Sequence, residues 1–269
     1  MHGKKFVLPV LVAFLALASG GAARAADHEE PFQKVLPLSA KGTFSLKNVN
    51  GGVTITTWAE EKVEIKALKK TKKAAENLQK VRIEVIATAD SVAVDTVYPK
   101  RENTGVSIDY EVKVPEGIHL ADIHTVNGGL NLTGPFGRAR VSSVNGGVQI
   151  ESASGELDLE TTNGDIKTVH VRGRISAHTT NGSIHLDLEA IEADVQAETT
   201  NGSITLQFSA PQEINASLDA RTTNGGISFD FPVTLQSLEQ SKHRLRGQIG
   251  RGGALVSLKT VNGSIRLSR

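Results

Sequence analysis

The 269-residue sequence contains no cysteine, only one tryptophan and one methionine, and 4% aromatic residues. Without cysteine, disulfides and thiolate metal sites are both excluded. Few aromatic rings combined with 26 glycines indicate a thin core of small and β-branched side chains. After the first 25 residues no apolar run is long enough to cross a bilayer, so no transmembrane segment is expected in the mature chain.

The N-terminal segment has the pattern of a secretory signal peptide. Lys4 and Lys5 precede the apolar run 6–18, and an Ala-Arg-Ala cleavage pattern ends at Ala25. Removing residues 1–25 with their three basic side chains changes the formal net charge from +1 to +1 − 3 = −2. This near-neutral balance argues against nucleic acid as a partner. We expect an exported protein, most simply periplasmic, with the cell surface, secretion or an N-terminal membrane anchor as alternatives.

One short phrase, Asn-Gly between hydroxyl and aliphatic residues, recurs through the chain. Fixed-period self-similarity indicates a repeat architecture. The first steps are 18 residues, and the last gap is long enough for two coils, with residues 246–249 as a degenerate copy. An earlier copy stands at Asn50. The repeated asparagines are Asn127, Asn145, Asn163, Asn181, Asn201, Asn224 and Asn262.

Side chains alternate between apolar and polar on both sides of each Asn-Gly, which predicts two half-buried strands per repeat. Asn-Gly between such strands is also typical of a β-hairpin, so a meander, barrel or sandwich is the competing architecture. A meander does not require the same residue at the same register in every hairpin, whereas stacked coils do. We therefore predict an all-β fold, a single-stranded β-solenoid with coils of about 18–20 residues.

Each position of the phrase is predicted to have a structural role at a corner. Counting Asn as position zero, we expect Asn to face inward and to form a stacked amide ladder. The following Gly is expected to need a positive φ, and the hydroxyl at position −2 to bond its copies in adjacent coils. A second glycine column, at Gly137, Gly155 and Gly173, predicts another corner.

The N-terminal third has strands but no constant period. The sequence predicts an N-terminal linker over 26–41, an irregular β cap over 42–117 and the regular solenoid over 118–269, the last two forming one domain. Lys69 to Lys80 is predicted to form a short polar helix or arm. Its lysines are interpreted as a solvated face, with an anionic envelope partner as the alternative.

The ordered phrases resemble one known family. "VNGGVTITTW", "VPEG", "TVNGGLNLTGPFG", "TTNGDI", "TTNGSI" and "GGALVSLKTVNGSIRL" are similar to the bacterial putative-adhesin family of unknown function, which is related to auto-transporter adhesin head domains. The likeness covers roughly residues 35–269. It implies an exported β-helix-like protein of the cell envelope, and it carries no catalytic residues over to this chain.

No motif for a nucleophile, a phosphate loop or a dinucleotide is present, and no cofactor or metal is expected. The acidic groups 158–165 and 187–194 could in principle serve glycoside hydrolysis, but they fall at outward positions and are predicted to be surface acids. The histidines show no spacing typical of metal ligands. An enzyme is therefore not expected, and the polysaccharide-acting β-helix enzyme is the least favoured hypothesis.

Two binding hypotheses remain, an adhesin-like scaffold that contacts an envelope protein or glycan, and a periplasmic regulatory partner of an envelope signalling protein. Position −1 is the least charged outward row, so it is the predicted contact strip. Its threonines are Thr162, Thr180, Thr200 and Thr223.

Overall fold

The computed structural model describes residues 28–209, 215–230 and 235–268. The predicted signal peptide, residues 1–25, lies outside the described residues. The described chain is all-β and coils into a solenoid, which confirms the predicted fold class. Each coil has one strand in each of two sheets, called A and B below, and bends between them at Asn-Gly.

The N-terminal region contains seven strands and one short helix. They are β1 (His28–Pro37), β2 (Thr43–Lys47), β3 (Val53–Trp58), β4 (Lys62–Thr71), α1 (Asn77–Lys80), β5 (Arg82–Ala87), β6 (Ser91–Val97) and β7 (Val106–Pro115).

The regular stack follows, and its asparagines end the strands of sheet B. It consists of β8 (His119–Asn127), β9 (Leu130–Thr133), β10 (Arg138–Asn145), β11 (Val148–Glu151), β12 (Ser154–Asn163), β13 (Ile166–Asn181), β14 (Ile184–Leu188), β15 (Val195–Asn201) and β16 (Ile204–Phe208). Strand β13 runs through a corner, so its first part lies in sheet A and its second in sheet B.

The C-terminal region completes the stack. Its strands are β17 (Ala216–Asn224), β18 (Ile227–Asp230), β19 (Leu235–Gln240), β20 (Arg244–Ile249), β21 (Leu255–Asn262) and β22 (Ile265–Ser268).

Sheet B is parallel through its centre and antiparallel at both margins. Its strand order is β5-β6-β2-β8-β10-β12-β13-β15-β21-β17-β20-β19. Sheet A has the order β1-β4-β7-β3-β9-β11-β13-β14-β16-β22-β18. The chain order and the spatial order therefore differ at each end of the stack.

The two terminal coils of the chain are both inserted between other coils. The first coil, β2 and β3, lies between the coil β6–β7 and the coil β8–β9. The last coil, β21 and β22, lies between β15–β16 and β17–β18. The asparagine at residue 262 consequently pairs with those at 201 and 224, although it follows both in sequence.

Two sequence predictions about the margins are wrong, and a third holds only in part. Residues 28–37, predicted as part of a linker, form β1, because Phe32 and Leu36 alternate with exposed residues and pack on the core. The short helix predicted within Lys69 to Lys80 is present but limited to α1, and the segment from Lys69 to Thr71 is strand. Residues 246–249 do not form a stacked coil, since β20 pairs antiparallel with β17 and β19 and covers the end of sheet B.

The core lies between the two sheets and is built from aliphatic columns. Val141, Leu159 and Ile166 are examples, each with 0% of its surface exposed. Burial of one such side chain stabilises the fold by about 1.5–3 kcal/mol. Because every coil repeats the same inward positions, the core is a continuous row of Ile, Leu, Val and Ala with outward faces left for function.

Candidate functional site

The asparagines form one continuous hydrogen-bonded row along a corner of the solenoid. In each coil, the Nδ2 atom of Asn donates to the Oδ1 atom of Asn in the neighbouring coil at 2.8–2.9 Å. The row begins at Asn50 and ends at Asn224. The prediction that these side chains are buried is wrong: from Asn127 to Asn262 they are all exposed. Asn is the last strand residue before the bend, so its amide lies at the solvent edge of the corner.

The hydroxyl residues two positions before Asn are buried, as their inward phase predicts. They do not bond one another. Thr179 Oγ1 donates to the carbonyl oxygen of Gly164 at 3.0 Å, and Thr161 Oγ1 to that of Gly146 at 2.9 Å. The same bond recurs in the other coils at 2.8–3.3 Å. Each hydroxyl therefore joins its own corner to the corner of the adjacent coil.

The glycine after Asn is required by close approach. A Cβ atom at Gly146 would lie 1.9 Å from the carbonyl oxygen of Gly128, and one at Gly182 would lie 1.9 Å from that of Gly164. The predicted positive φ is wrong for these corners: among the Asn-Gly glycines, only Gly51 has one, at 113°. Stacked backbone, and not an unusual backbone angle, excludes a side chain here.

The predicted contact strip lies on the outer face of sheet B, next to the asparagine row. Thr162, Thr180, Thr200 and Thr223 are all exposed. The first three lie in consecutive coils. The inserted last coil places Val261 between Thr200 and Thr223. Val261 is one of the exposed large apolar side chains, at 36%.

An open groove of about 230 Å³ runs beside the strip. Glu198 lies in it between the side chains of His178 and Lys259. His178 Nε2 is 3.8 Å from one carboxylate oxygen, and Lys259 Nζ is 3.8 Å from the other. The lining residues are Glu160, Thr161, His178, Thr179, Thr180, Glu198, Thr199, Thr200, Lys259 and Val261.

Sequence reasoning missed Lys259 and Val261 as neighbours of Thr200, because they are about 60 residues away along the chain. No sequence signal identifies this adjacency, since every coil presents the same column types. The groove thus combines a neutral hydroxyl row with an alternating row of acidic and basic side chains.

The outward acids further from the corner are mostly paired across strands. Arg138 contacts Glu156 at 3.2 Å, and Arg140 contacts Asp158 at 3.1 Å. Asp219 is held by two guanidinium groups, and hydrogen bonds from Arg221 and then Arg246 lower its pKa to about 2 despite partial burial. Within the described ranges, no group of three or more His, Asp or Glu side chains could hold a metal ion.

The lysine run of the cap is largely paired inside the molecule. Lys69 is 7% exposed, and its ammonium group donates to Glu30 Oε1 at 2.9 Å and to the carbonyl oxygen of Leu78 at 3.2 Å. The ammonium groups of three other lysines in the run also have acceptors: Lys70 with Asp109, Lys73 with the carbonyl oxygen of Asn103, and Lys80 with Glu102. These contacts leave the strip and groove as the stronger candidate site.

Residues 35–268 match one family along almost the whole length of the fold described above. The chain belongs to the Toastrack DUF4097 family. The resemblance to the bacterial putative-adhesin family is thereby confirmed. Membership of this family carries no activity, substrate or partner over to the chain.

Three solved structures are similar to this Toastrack chain. A putative cell adhesion protein from Clostridium sporogenes ATCC 15579 is 14% identical, with 89% of this chain and 99% of that chain covered and a TM-score of 0.35. A putative adhesin from Bacteroides fragilis NCTC 9343 is 10% identical, with 89% and 96% covered and a TM-score of 0.42. A putative lipid binding protein from Parabacteroides distasonis ATCC 8503 is 9% identical, with 89% and 97% covered and a TM-score of 0.29. No curated protein matches the chain.

Proposed function

We propose that this chain is an exported, non-enzymatic, adhesin-like binding protein of the bacterial cell envelope. It contacts an envelope protein or glycan through the outer face of sheet B. Its family and the signal-peptide pattern of residues 1–25 support this assignment. No helix in the part of the chain that the structure describes is long and apolar enough to span a membrane.

The observation that carries the proposal is the exposed threonine strip beside a groove of alternating charge. Parallel strands repeat at about 4.8 Å, so Thr162, Thr180 and Thr200 present three adjacent hydroxyl groups on this face. Glu198 and Lys259, whose charged atoms are 3.8 Å apart, supply charge of both signs next to that row. An extended, mixed face of this kind suits a polar contact with a macromolecule better than the enclosed capture of a small molecule.

The distribution of side chains supports binding without turnover. The inward columns are aliphatic or are hydroxyls already bonded to glycine carbonyl groups. Outward acids such as Glu156 and Asp158 are held by arginines in the next coil. A catalytic pair of carboxylates would instead need one acid with a raised pKa beside the scissile bond.

A double substitution, Thr180→Lys with Thr200→Lys, tests the strip. Both side chains are exposed, so we expect an unchanged fold, measured by the urea midpoint, and at least about tenfold weaker capture of an envelope protein or glycan, which corresponds to about 1.4 kcal/mol. The matched control, Thr54→Lys with Thr205→Lys, adds the same charge to the outer face of sheet A.

Equal loss of capture in both double variants would show a general charge effect and contradict the assignment to the strip. Unchanged capture in the first variant would remove the strip from the site. Cleavage of an envelope polysaccharide by the purified protein would contradict the non-enzymatic assignment. Cell fractionation and the mass of the mature N-terminus test export and cleavage after Ala25.

A further inference from the structure

The chain contains eight Asn-Gly pairs, and this dipeptide has a characteristic chemistry. The backbone nitrogen of the following residue can attack the Cγ atom of the asparagine side chain. Glycine leaves that nitrogen unshielded because it has no side chain. Attack requires that the glycine N–H can lose its proton and that the side-chain amide can rotate towards it. The fold controls both conditions.

Seven of the eight glycine N–H groups are held by the neighbouring coil. Each donates to the backbone carbonyl oxygen of the next asparagine along the stack. The donor and acceptor pairs are Gly51 and Asn127, Gly128 and Asn145, Gly146 and Asn163, Gly164 and Asn181, Gly182 and Asn201, Gly202 and Asn262, and Gly263 and Asn224, at 2.9–3.1 Å. In each interior coil the side-chain amide is also bonded on both sides.

The pair Asn224-Gly225 is different because it is the last of the row. Asn224 Nδ2 donates to Asn262 Oδ1 at 2.8 Å, but no described residue donates to Asn224 Oδ1. No described residue accepts the N–H of Gly225 either. A Cβ atom added to Gly226 would have no atom of the described ranges within 4 Å, so the corner is open on this side. At this corner the glycine N–H therefore has no described acceptor, and the side-chain amide is held by one hydrogen bond, where an interior amide is held by two.

We propose that Asn224-Gly225 is a site of spontaneous covalent modification through a succinimide. The Gly225 nitrogen loses its proton and forms a bond to Cγ of Asn224. The bond from Cγ to Nδ2 breaks, and the amide nitrogen leaves as ammonia. Water then opens the five-membered imide at either carbonyl group, which gives aspartate or isoaspartate. No oxidant or cofactor is required.

The product changes the end of the stack. A carboxylate at residue 224 faces the Oδ1 atom of Asn262 and cannot donate the ladder hydrogen bond. Isoaspartate additionally inserts a side-chain carbon into the backbone beside Thr223, the last threonine of the contact strip. The modification thus places a negative charge at one end of the proposed binding face, and its occurrence does not depend on that face having a partner.

The test compares the eight pairs within one protein. The intact chain is incubated at mildly alkaline pH, and each Asn-Gly peptide is quantified for aspartate, isoaspartate and the released ammonia. The same measurement in urea gives the rate of each pair in the unfolded chain. Dividing the two rates removes the effect of local sequence. We expect Asn224 to react at nearly its unfolded rate and the interior pairs to be slowed by at least about tenfold, because they must first open locally.

A ratio for Asn224 as low as that for Asn163 and Asn181 would overturn the proposal, as would equal reaction at all eight pairs. Asn224→Gln provides a second measurement, because a glutamine would have to form a less favourable six-membered ring. It should abolish the early release of ammonia, whereas the matched variant Asn181→Gln should leave it. Ammonia release that persists in Asn224→Gln would also contradict the proposal.

Discussion

The two ends of the stack are closed to different extents. At the N-terminal end, antiparallel strands cover both sheets: β4 and β1 extend sheet A, and β5 extends sheet B. At the C-terminal end, β20 and β19 extend sheet B, but β18 is the last strand of sheet A among the described residues. A regular coil has no means of ending itself, so each end requires residues outside the repeat.

The closed end shows how an exposed strand edge is protected. The N–H of Leu38 bonds to the carbonyl oxygen of Glu61, so alternation along β1 directs the nitrogens of Pro31 and Pro37 to the open side. Proline has no N–H, and an edge that lacks donors does not readily pair with another strand. At the other end, Ile227 is half-buried, whereas the equivalent Ile204 and Ile265 are fully buried.

The two ends have one feature in common: the first and the last described coil of the chain each lie between two other coils. Pairing on both sides doubles the ladder contacts of a segment that would otherwise fray. The coil β21–β22 therefore holds β17–β18 against the regular stack, although it follows both neighbouring coils in sequence. A chain that lacked it would leave the preceding coil without its parallel neighbours.

Removal of residues 254–269 should have the largest effect. Strand β17 would keep only its antiparallel partner β20, because its parallel partner is β21. We expect amide hydrogen exchange to show near-complete loss of protection over Ala216–Asn224, with Arg138–Asn145 still protected in the same protein. Protection of Ala216–Asn224 at the level of the full chain would mean that the inserted coil does not hold the end.

Alanine at two glycines, one at each end of the stack, compares the first and the second glycine position after Asn. At Gly51, a Cβ atom would lie 2.2 Å from the carbonyl oxygen of Ile108, and φ is 113°. We expect Gly51→Ala to lower the free energy of unfolding by about 3 kcal/mol or more, since both strain and overlap oppose it. Gly226→Ala is the control and should change it by no more than about 0.5 kcal/mol, because open space surrounds that site. Similar urea midpoints for the two variants would contradict the difference between the first position, which the adjacent coil obstructs, and the second, which it leaves open.

The repeating part of the fold could be predicted from the sequence because its information is local. A hydroxyl residue at position −2 and an aliphatic residue at position +3 recur in every regular coil, and their phase relative to Asn predicts two strands and the face that packs in the core. The same phase predicted that Asn163 is buried. That prediction was wrong because the strand bends at Asn163, which leaves the side chain exposed. The prediction that the glycine after Asn needs a positive φ was wrong for a related reason. Glycine is required there because the backbone of the adjacent coil is so close, and the sequence of a single coil does not show that distance.

The order of the coils could not be predicted from periodicity. Any permutation of equivalent coils aligns the same columns, so the sequence near Asn262 is equally compatible with a place beyond Asn224 or before it. The four threonines of the proposed strip are exposed, as predicted, but the neighbouring Lys259 and Val261 are there because the last coil is inserted. The pairing of Lys69 with Glu30 likewise depends on β1, which has no repeat signature.

Alanine in place of two ladder asparagines should have the smallest effect, and it measures how the ladder differs between the interior and the open end. Asn163 loses two side-chain hydrogen bonds, one to Asn145 and one from Asn181, each at 2.9 Å. Asn224 loses only its bond to Asn262. An exposed hydrogen bond contributes about 0.5–1 kcal/mol, so we expect a loss of about 1–2 kcal/mol for Asn163→Ala and about half of that for Asn224→Ala.

Thr162→Ala, at an exposed side chain beside Asn163, is the control and should cost no more than about 0.5 kcal/mol. Urea midpoints of the three variants test this order. If the ladder hydrogen bonds stabilise the fold, the variant that removes two of them must lose more free energy of unfolding than the variant that removes one. Equal midpoints for the two asparagine variants would therefore show that the ladder bonds contribute nothing measurable to stability.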